Sequence, residues 1–449
     1  LIPIFKGNAM ETCIRIEYFV SHEQEGRYVT LPFSMPPDVE SLALTYRYAR
    51  YDRREADMPP GVFTARREIN ILDLGLIAPD GTQVGASGSD KISIQVSETW
   101  ATPGYRPTRL LPGEWHILLG AYKVAPEGVR VLYELTLTDK RRRLLKGDLH
   151  VHTVASDGVL TVAELAQHAL RHGLDFLALT DHNQMARAEA LPSIPGMTLI
   201  PGIEWTHYRG HATFTGVDQP YDGPFAANTP EEVAARFTAA RTRGALITLA
   251  HPFDELCPFL FDTQALPFDC IEVWNGPMRP ANLRAIGWWH SLLVAGRKLP
   301  ACGGSDYHRS QLFLFPGGPT TCVYASSAGA SDILAALRQG RAYIVYAPDG
   351  PELNLHAGEA MLGDSVPFPH GDDLVIEVAG LRAGDVLQVI TGQGRVPLLK
   401  AETDGDFQGT YTMPAPGFAR VEILREFMPD LPPLPALISN PIYFDAEPA

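Results

Sequence analysis

Cysteine is scarce and dispersed. The 449 residues hold five, Cys13, Cys257, Cys270, Cys302 and Cys322, with no Cys-x-x-Cys pair among them. An odd, scattered set argues against a disulfide framework and reads as reduced thiols, so a cytoplasmic location is expected. No run of about 18 apolar residues occurs, the length a helix needs to cross a bilayer, and no membrane partner is expected. The N-terminus lacks a basic segment followed by an apolar core and a cleavage site. Because the chain starts at Leu1, a leader removed before that residue stays open. Positive charge is in deficit: 37 Lys and Arg stand against 52 Asp and Glu, a net charge of −15. That disfavours long nucleic acids and anionic membranes as partners. It leaves room for a small anionic substrate, because bound cations reverse the field locally. Neither a Gly-x-Ser-x-Gly nucleophile motif nor a phosphate-cradling glycine loop is present.

What is there falls into three parts. Residues 1–143 read as all-β. Short alternating or apolar runs at 14–20, 69–76, 92–96, 115–122 and 130–137 are separated by Pro/Gly turns such as Pro36-Pro37, Pro59-Pro60-Gly61 and Pro126-Glu127-Gly128. That spacing predicts a β-sandwich-like domain. The stretch 46–51 is open between strand and surface patch, and Arg47, Arg50, Arg53 and Arg54 read as a solvated face. Over residues 144–345 apolar strands alternate with helical segments at 161–172, 230–243, 280–296 and 331–339, which predicts an α/β domain with a mainly parallel sheet or barrel. Thr229-Pro230-Glu231-Glu232 is a helix start, with a Thr cap, Pro first and acids in the first turn. Residues 346–449 return to β signals and form a small C-terminal β domain. Its proline-rich piece from Pro429 to Pro441 reads as a wrapping segment.

The chemistry lies at the ends of the central strands. Lys146-Gly-Asp-Leu-His-Val-His152 places His150 and His152 two apart, so on a strand both imidazoles face one way. Asp157 follows in the next turn. Later apolar runs each deliver a further group: Asp181-His182, Glu204, His211, His251 and Asp306 with His308. Strand ends of such a domain meet at one face, so these side chains should converge. Zinc takes about four ligands, and paired sites share a carboxylate between ions roughly 3.5–4 Å apart. Nine donors therefore imply two or three divalent ions.

In their order, Asp-Leu-His-Val-His-Thr with Ser-Asp-Gly, Leu-Thr-Asp-His-Asn, Pro-Gly-Ile-Glu, Gly-His, Ala-His-Pro and Gly-Ser-Asp-Tyr-His resemble the motifs of the PHP (polymerase and histidinol phosphatase) superfamily. The flanking β regions resemble the CehA/McbA-like branch. The resemblance implies a distorted (β/α)7 barrel with a trinuclear zinc, manganese or iron site. It implies His150, His152, Glu204 and Asp306 around a first ion and Glu204, His211 and His251 around a second. Asp157, His182 and His308 would hold a third. Asp181 has no ligand role in that pattern and reads as a partner orienting an imidazole.

A metal-dependent hydrolase follows, with Glu204, Asp306, His308 and Asp181 as catalytic candidates. A metal-bridging hydroxide would attack a small phosphomonoester or phosphodiester. The phosphate-binding cations of phosphatase relatives have no motif-fixed counterpart, so Arg309, Arg279, His207 and Asn275 are the substrate-contact candidates. Three alternatives stay open: a carboxylic or carbamic ester or amide substrate; a nucleotide or short nucleic-acid phosphodiesterase; and a carbohydrate- or partner-binding module with an idle metal domain.

Overall fold

The computed structural model describes residues 11–52, 67–369, 371 and 373–446. Arg53, Arg54 and the Pro59-Pro60-Gly61 turn lie outside them. The chain divides into two compact units between residues 141 and 142.

The first unit is two four-stranded antiparallel sheets. One runs in the order Glu11–Val20, Val129–Asp139, Val39–Tyr48, Ser93–Ser97; the other runs Arg27–Met35, Gly113–Lys123, Ile71–Ile77, Gln83–Ser87. Alternate residues of both sheets enter one core, among them Leu42, Leu44, Trp115, Ile117, Leu135 and Leu137. This is the pattern of a sheet with one wet and one dry face. The 46–51 stretch is strand as far as Tyr48. The Tyr46 hydroxyl is buried and donates to the Leu72 carbonyl of the other sheet at 2.7 Å.

The second unit is mixed α/β, with many strands and, among the described residues, four α-helices. Five strands form one sheet, in the order Gly202–His207, Gly210–Thr215, Leu246–Ala250, Cys270–Asn275, Ala301–Gly304. A larger sheet starts Thr198–Ile200, Phe176–Leu179, Arg143–Val151, Thr320–Ala325, Ala342–Val345 and continues into Leu434–Ser439 and Gly417–Arg425. Two isolated parallel bridges, His182 with Glu204 and Val151 with Tyr307, join the margins of these sheets where the site residues emerge.

The expectation of a mainly parallel sheet is corrected. Gly202–His207 and Gly210–Thr215 are an antiparallel hairpin, and Thr320–Ala325 runs antiparallel to Arg143–Val151. The hairpin link is Tyr208-Arg209, and two residues can join only antiparallel neighbours. The proline-rich tail is corrected too. Leu434–Ser439 lies inside the large sheet, antiparallel to both Ala342–Val345 and Gly417–Arg425. Pro435 sits at the register shift of that pairing, the irregular position where a residue without an N–H is tolerated.

Two of the helices start as their sequences dictate. Thr161 and Thr229 each accept the N–H three residues on, from Glu164 and Glu232, whose carboxylates reach back to close capping boxes. The helix Val162–Arg171 buries Leu165, Ala166 and Ala169. Among the described residues no helix is long and apolar enough to cross a membrane.

Candidate metal centre

His150 is on the strand Arg143–Val151 and His152 one residue beyond it; their ring centroids are 5.3 Å apart. The chain then turns sharply. A Cβ on Gly158 would stand 2.4 Å from the His152 carbonyl oxygen, so that turn is open to glycine alone. It carries Asp157, whose Oδ1 lies 3.2 Å from His308 Nε2 and 3.8 Å from His182 Nε2.

Glu204 is the centre of the constellation and is wholly buried. Its Oε1 is 2.9 Å from His211 Nδ1 and 3.1 Å from His251 Nε2. Its Oε2 is 2.7 Å from His182 Nδ1 and 3.5 Å from the Nε2 atoms of both His150 and His152. Asp306 Oδ1 lies 3.0 Å from His152 Nε2, 3.5 Å from His150 Nε2 and 3.6 Å from His308 Nδ1. All nine predicted ligands are thus brought together from seven separate chain segments.

The donor set fits divalent ions. His150 Nε2, His152 Nε2 and Glu204 Oε2 are buried and make no aligned hydrogen bond, although carboxylates and imidazoles crowd within 3.5 Å of each. Close approach without alignment is what lone pairs aimed at a common cation give, and buried polar atoms otherwise find partners. Among the described residues five donor groups, His152–Asp157–His182–His308, His211–His251–Cys257, His150–His152–Glu204, His150–His251–Asp306 and His182–Glu204–His211, each lie close enough to share an ion.

The carboxylates that would face a cation act on the rings themselves. Burial opposes the protonated form of His150, but the Glu272, Asp306 and Glu204 carboxylates outweigh it and carry its pKa well above that of an ordinary imidazole. Burial likewise opposes ionisation of Glu204, yet the facing His150, His182 and His211 rings hold it well below the carboxylate range.

Two of the predicted ligands occupy strained backbone. His251 and Asp306 have φ of 28° and 53°. A non-glycine residue there stores about 1–3 kcal/mol and persists where its surroundings over-determine it. Here the His251 N–H donates to Glu272 Oε2 at 2.8 Å, and the Asp306 N–H donates to the His150 carbonyl at 2.8 Å.

The remaining candidates separate. Asn275 donates to Asp306 Oδ2 at 3.3 Å, and Arg279 donates to Asn275 Oδ1 at 2.8 Å while pairing with Asp254 at 3.1 Å. Both stand at the cluster. Arg309 is exposed. His207 is spent on its hairpin: it bonds the Ala227 carbonyl and the Arg209 N–H and stacks on Trp205. Asp181 meets no imidazole. It accepts from Thr153 N and Oγ1 and from Ser156 Oγ, so it holds the turn after His152, and Ser156 Oγ is 3.5 Å from His152 Nδ1.

Sequence reasoning missed Glu272, Cys257 and Thr206. Glu272 is buried and its Oε1 lies 3.0 Å from His150 Nδ1. The signal was present: one acid inside the apolar strand Cys-Ile-Glu-Val-Trp. Cys257 Sγ is 3.7 Å from His251 Nδ1, and Thr206 Oγ1 is 2.6 Å from His182 Nδ1; neither residue carries a local pattern.

Residues 148–235 match the PHP domain family. Over 62 residues the chain is 45% identical to a 5'-3' exoribonuclease of Haemophilus influenzae, covering 13% of this chain and 23% of that protein. Over 110 residues it is 33% identical to a 3',5'-nucleoside bisphosphate phosphatase of Chromobacterium violaceum, covering 23% of this chain and 38% of that protein. The chain therefore spans about a quarter to two-fifths of these relatives' length. Among solved structures, a two-domain Bacteroides vulgatus protein described as containing a predicted PHP-like metal-dependent phosphoesterase is similar at TM-score 0.37 and 18% identity, covering 66% of this chain and 95% of that one.

Proposed function

We propose that this protein is a metal-dependent phosphoesterase that hydrolyses a small phosphomonoester or phosphodiester. The observation that carries the reading is the Glu204 carboxylate. It is buried, with His211 and His251 on one oxygen and His182, His150 and His152 around the other. That is a bridging ligand's environment. His150, His152, Glu204 and Asp306 would hold one ion, Glu204, His211 and His251 a second, and Asp157, His182 and His308 a third. The two bridges that tie the sheet margins support a barrel-like closure of the frame, built with fewer helices and more antiparallel pairing than a (β/α)7 barrel.

Divalent ions bound there would acidify water and polarise a phosphoryl oxygen. The chain's own residues do the rest. Arg279 stands at the rim, where its guanidinium fork suits a phosphate. Asn275 ties it to Asp306. His308 and Asp157, with side-chain exposures of 24% and 56%, lie on the open side, where a leaving group would depart. Phosphoryl chemistry is favoured over a carbonyl substrate by Arg279 and by relatives named as a bisphosphate phosphatase and an exoribonuclease.

The test is turnover of p-nitrophenyl phosphate, its bis-ester and p-nitrophenyl acetate by protein supplied with manganese or zinc. Cleavage of a phosphate ester that is lost in His152→Ala supports the reading. Cleavage of the acetate alone assigns a carbonyl substrate. No turnover by metal-replete protein favours a binding role.

A further inference from the structure

The sharpest unexplained feature is Glu272. Its carboxylate is buried in the strand Cys270–Asn275, between Ile271 and Val273, and every polar partner it has belongs to the metal cluster or its rim. Oε1 accepts from His150 Nδ1 at 3.0 Å. Oε2 accepts from the His251 backbone N–H at 2.8 Å and from the Asn275 amide at 3.2 Å.

Each contact fixes something different. A proton held on His150 Nδ1 leaves Nε2 with its lone pair facing Glu204 and Asp306, so the carboxylate selects tautomer and ring orientation together. The His251 bond acts on the backbone. It pins a non-glycine residue at φ 28°, the conformation from which His251 Nε2 reaches Glu204 Oε1 at 3.1 Å. Neighbouring residues keep the space for this carboxylate. A Cβ on Gly304 would stand 2.4 Å from His150 Cβ and 2.9 Å from Glu272 Oε1.

We propose that Glu272 is a positioning residue that sets one ligand of each of two metal positions at once, His150 through its ring and His251 through its backbone, so that the two positions fill and empty together. This rests on the metal assignment made under the proposed function. Imidazole orienters are worth about 10–100-fold in metal affinity, and here one side chain serves two ions.

Stepwise binding of Mn2+ by metal-stripped wild type and E272Q, read by chelator competition and elemental analysis, tests it. Glutamine keeps the volume but must turn an NH2 group either on His150 Nδ1–H or on the two N–H donors opposite. The expected result is a weakening of about 10–100-fold at both positions together, with turnover of p-nitrophenyl phosphate recovering as Mn2+ is raised. A merely structural lesion would not recover with metal. Should E272Q fail to fold, E272D takes its place. It keeps the charge but is one methylene too short to span both donors, and the expectation is the same. Loss at one position alone, or binding equal to wild type, overturns the inference while leaving the phosphoesterase reading intact. Absence of stoichiometric metal from the wild type overturns that reading itself.

Discussion

The side-chain amide of Asn275 bonds the Asp306 carboxylate at 3.3 Å, and its carbonyl receives the Arg279 guanidinium at 2.8 Å. One amide therefore couples a half-exposed cation to a carboxylate of the proposed metal cluster. Arg279 is the N-cap residue of the helix Pro280–Val294 and is held from its other side by Asp254. Its position is thus fixed by partners on two sides.

Arg279→Ala is expected to raise KM for p-nitrophenyl phosphate by about 10–100-fold with a smaller change in kcat, the loss of a charge-assisted bond made in ground and transition states alike. Turnover of p-nitrophenyl acetate, should any be present, stays within about twofold. Arg279→Lys recovers part of the loss, because a point charge lacks the fork. Initial rates over a substrate series give the answer, and equal effects on both esters would remove Arg279 from phosphate recognition.

Stripping metal with a chelator should lower the thermal midpoint of the 142–446 unit. Saturation at about a hundredfold above Kd contributes about 3 kcal/mol that is lost on removal. For a unit of this size that is a fall of several degrees. Re-addition of zinc or manganese should restore it, as followed by scanning calorimetry. An unchanged midpoint would mean that the clustered imidazoles and carboxylates are satisfied without ions.

Two glycines give opposite predictions. Gly304→Ala places a methyl against His150 and Glu272 and should cost about 1–3 kcal/mol, with metal lost along with stability. Gly287 lies within the helix Pro280–Val294, with open space around a Cβ and no positive φ. Gly287→Ala should stabilise by about 0.5–1 kcal/mol through helix propensity alone. Urea titrations of both variants measure the contrast.

Leu437 is fully buried in the strand that joins the central and C-terminal parts of the large sheet. Leu437→Ala should cost about 2–5 kcal/mol. A loosely wrapped segment would lose far less. Equilibrium unfolding followed by circular dichroism distinguishes the two.

The site was legible because its signal is chemical and local: an apolar strand followed by a His, Asp or Glu needs no knowledge of pairing. Glu204 and His211 could be named without knowing that their side chains meet diagonally across a hairpin. What escaped depends on partners distant in sequence. Glu272 is an ordinary strand acid until His150, 122 residues away, meets it. Asp181 was assigned an imidazole but serves the Thr153–Ser156 turn, because that turn folds back over the next strand end. His207, three residues beyond Glu204 on the same hairpin, is drawn off by the Ala227 carbonyl and the Trp205 ring. Strand direction failed where Gly210 reverses the chain after two residues, and the tail failed where proline composition outweighed the apolar run Leu434–Ser439. In the first unit the runs 14–20, 69–76, 92–96, 115–122 and 130–137 fall on strands, because two-residue alternation survives whatever the strand order, while Arg27–Met35 and Gln83–Ser87 escaped that reading.

The placement of Leu434–Ser439 against Ala342–Val345 has a cost during vectorial synthesis. Every side chain of the proposed metal cluster has been made by residue 308, yet the sheet that carries His150 keeps a bare, apolar margin until residue 434 emerges. A nascent chain stalled between those points would hold its chemistry nearly complete while offering a sticky hydrogen-bonding edge to its neighbours. Premature termination in this interval should therefore yield aggregates, not a smaller working enzyme.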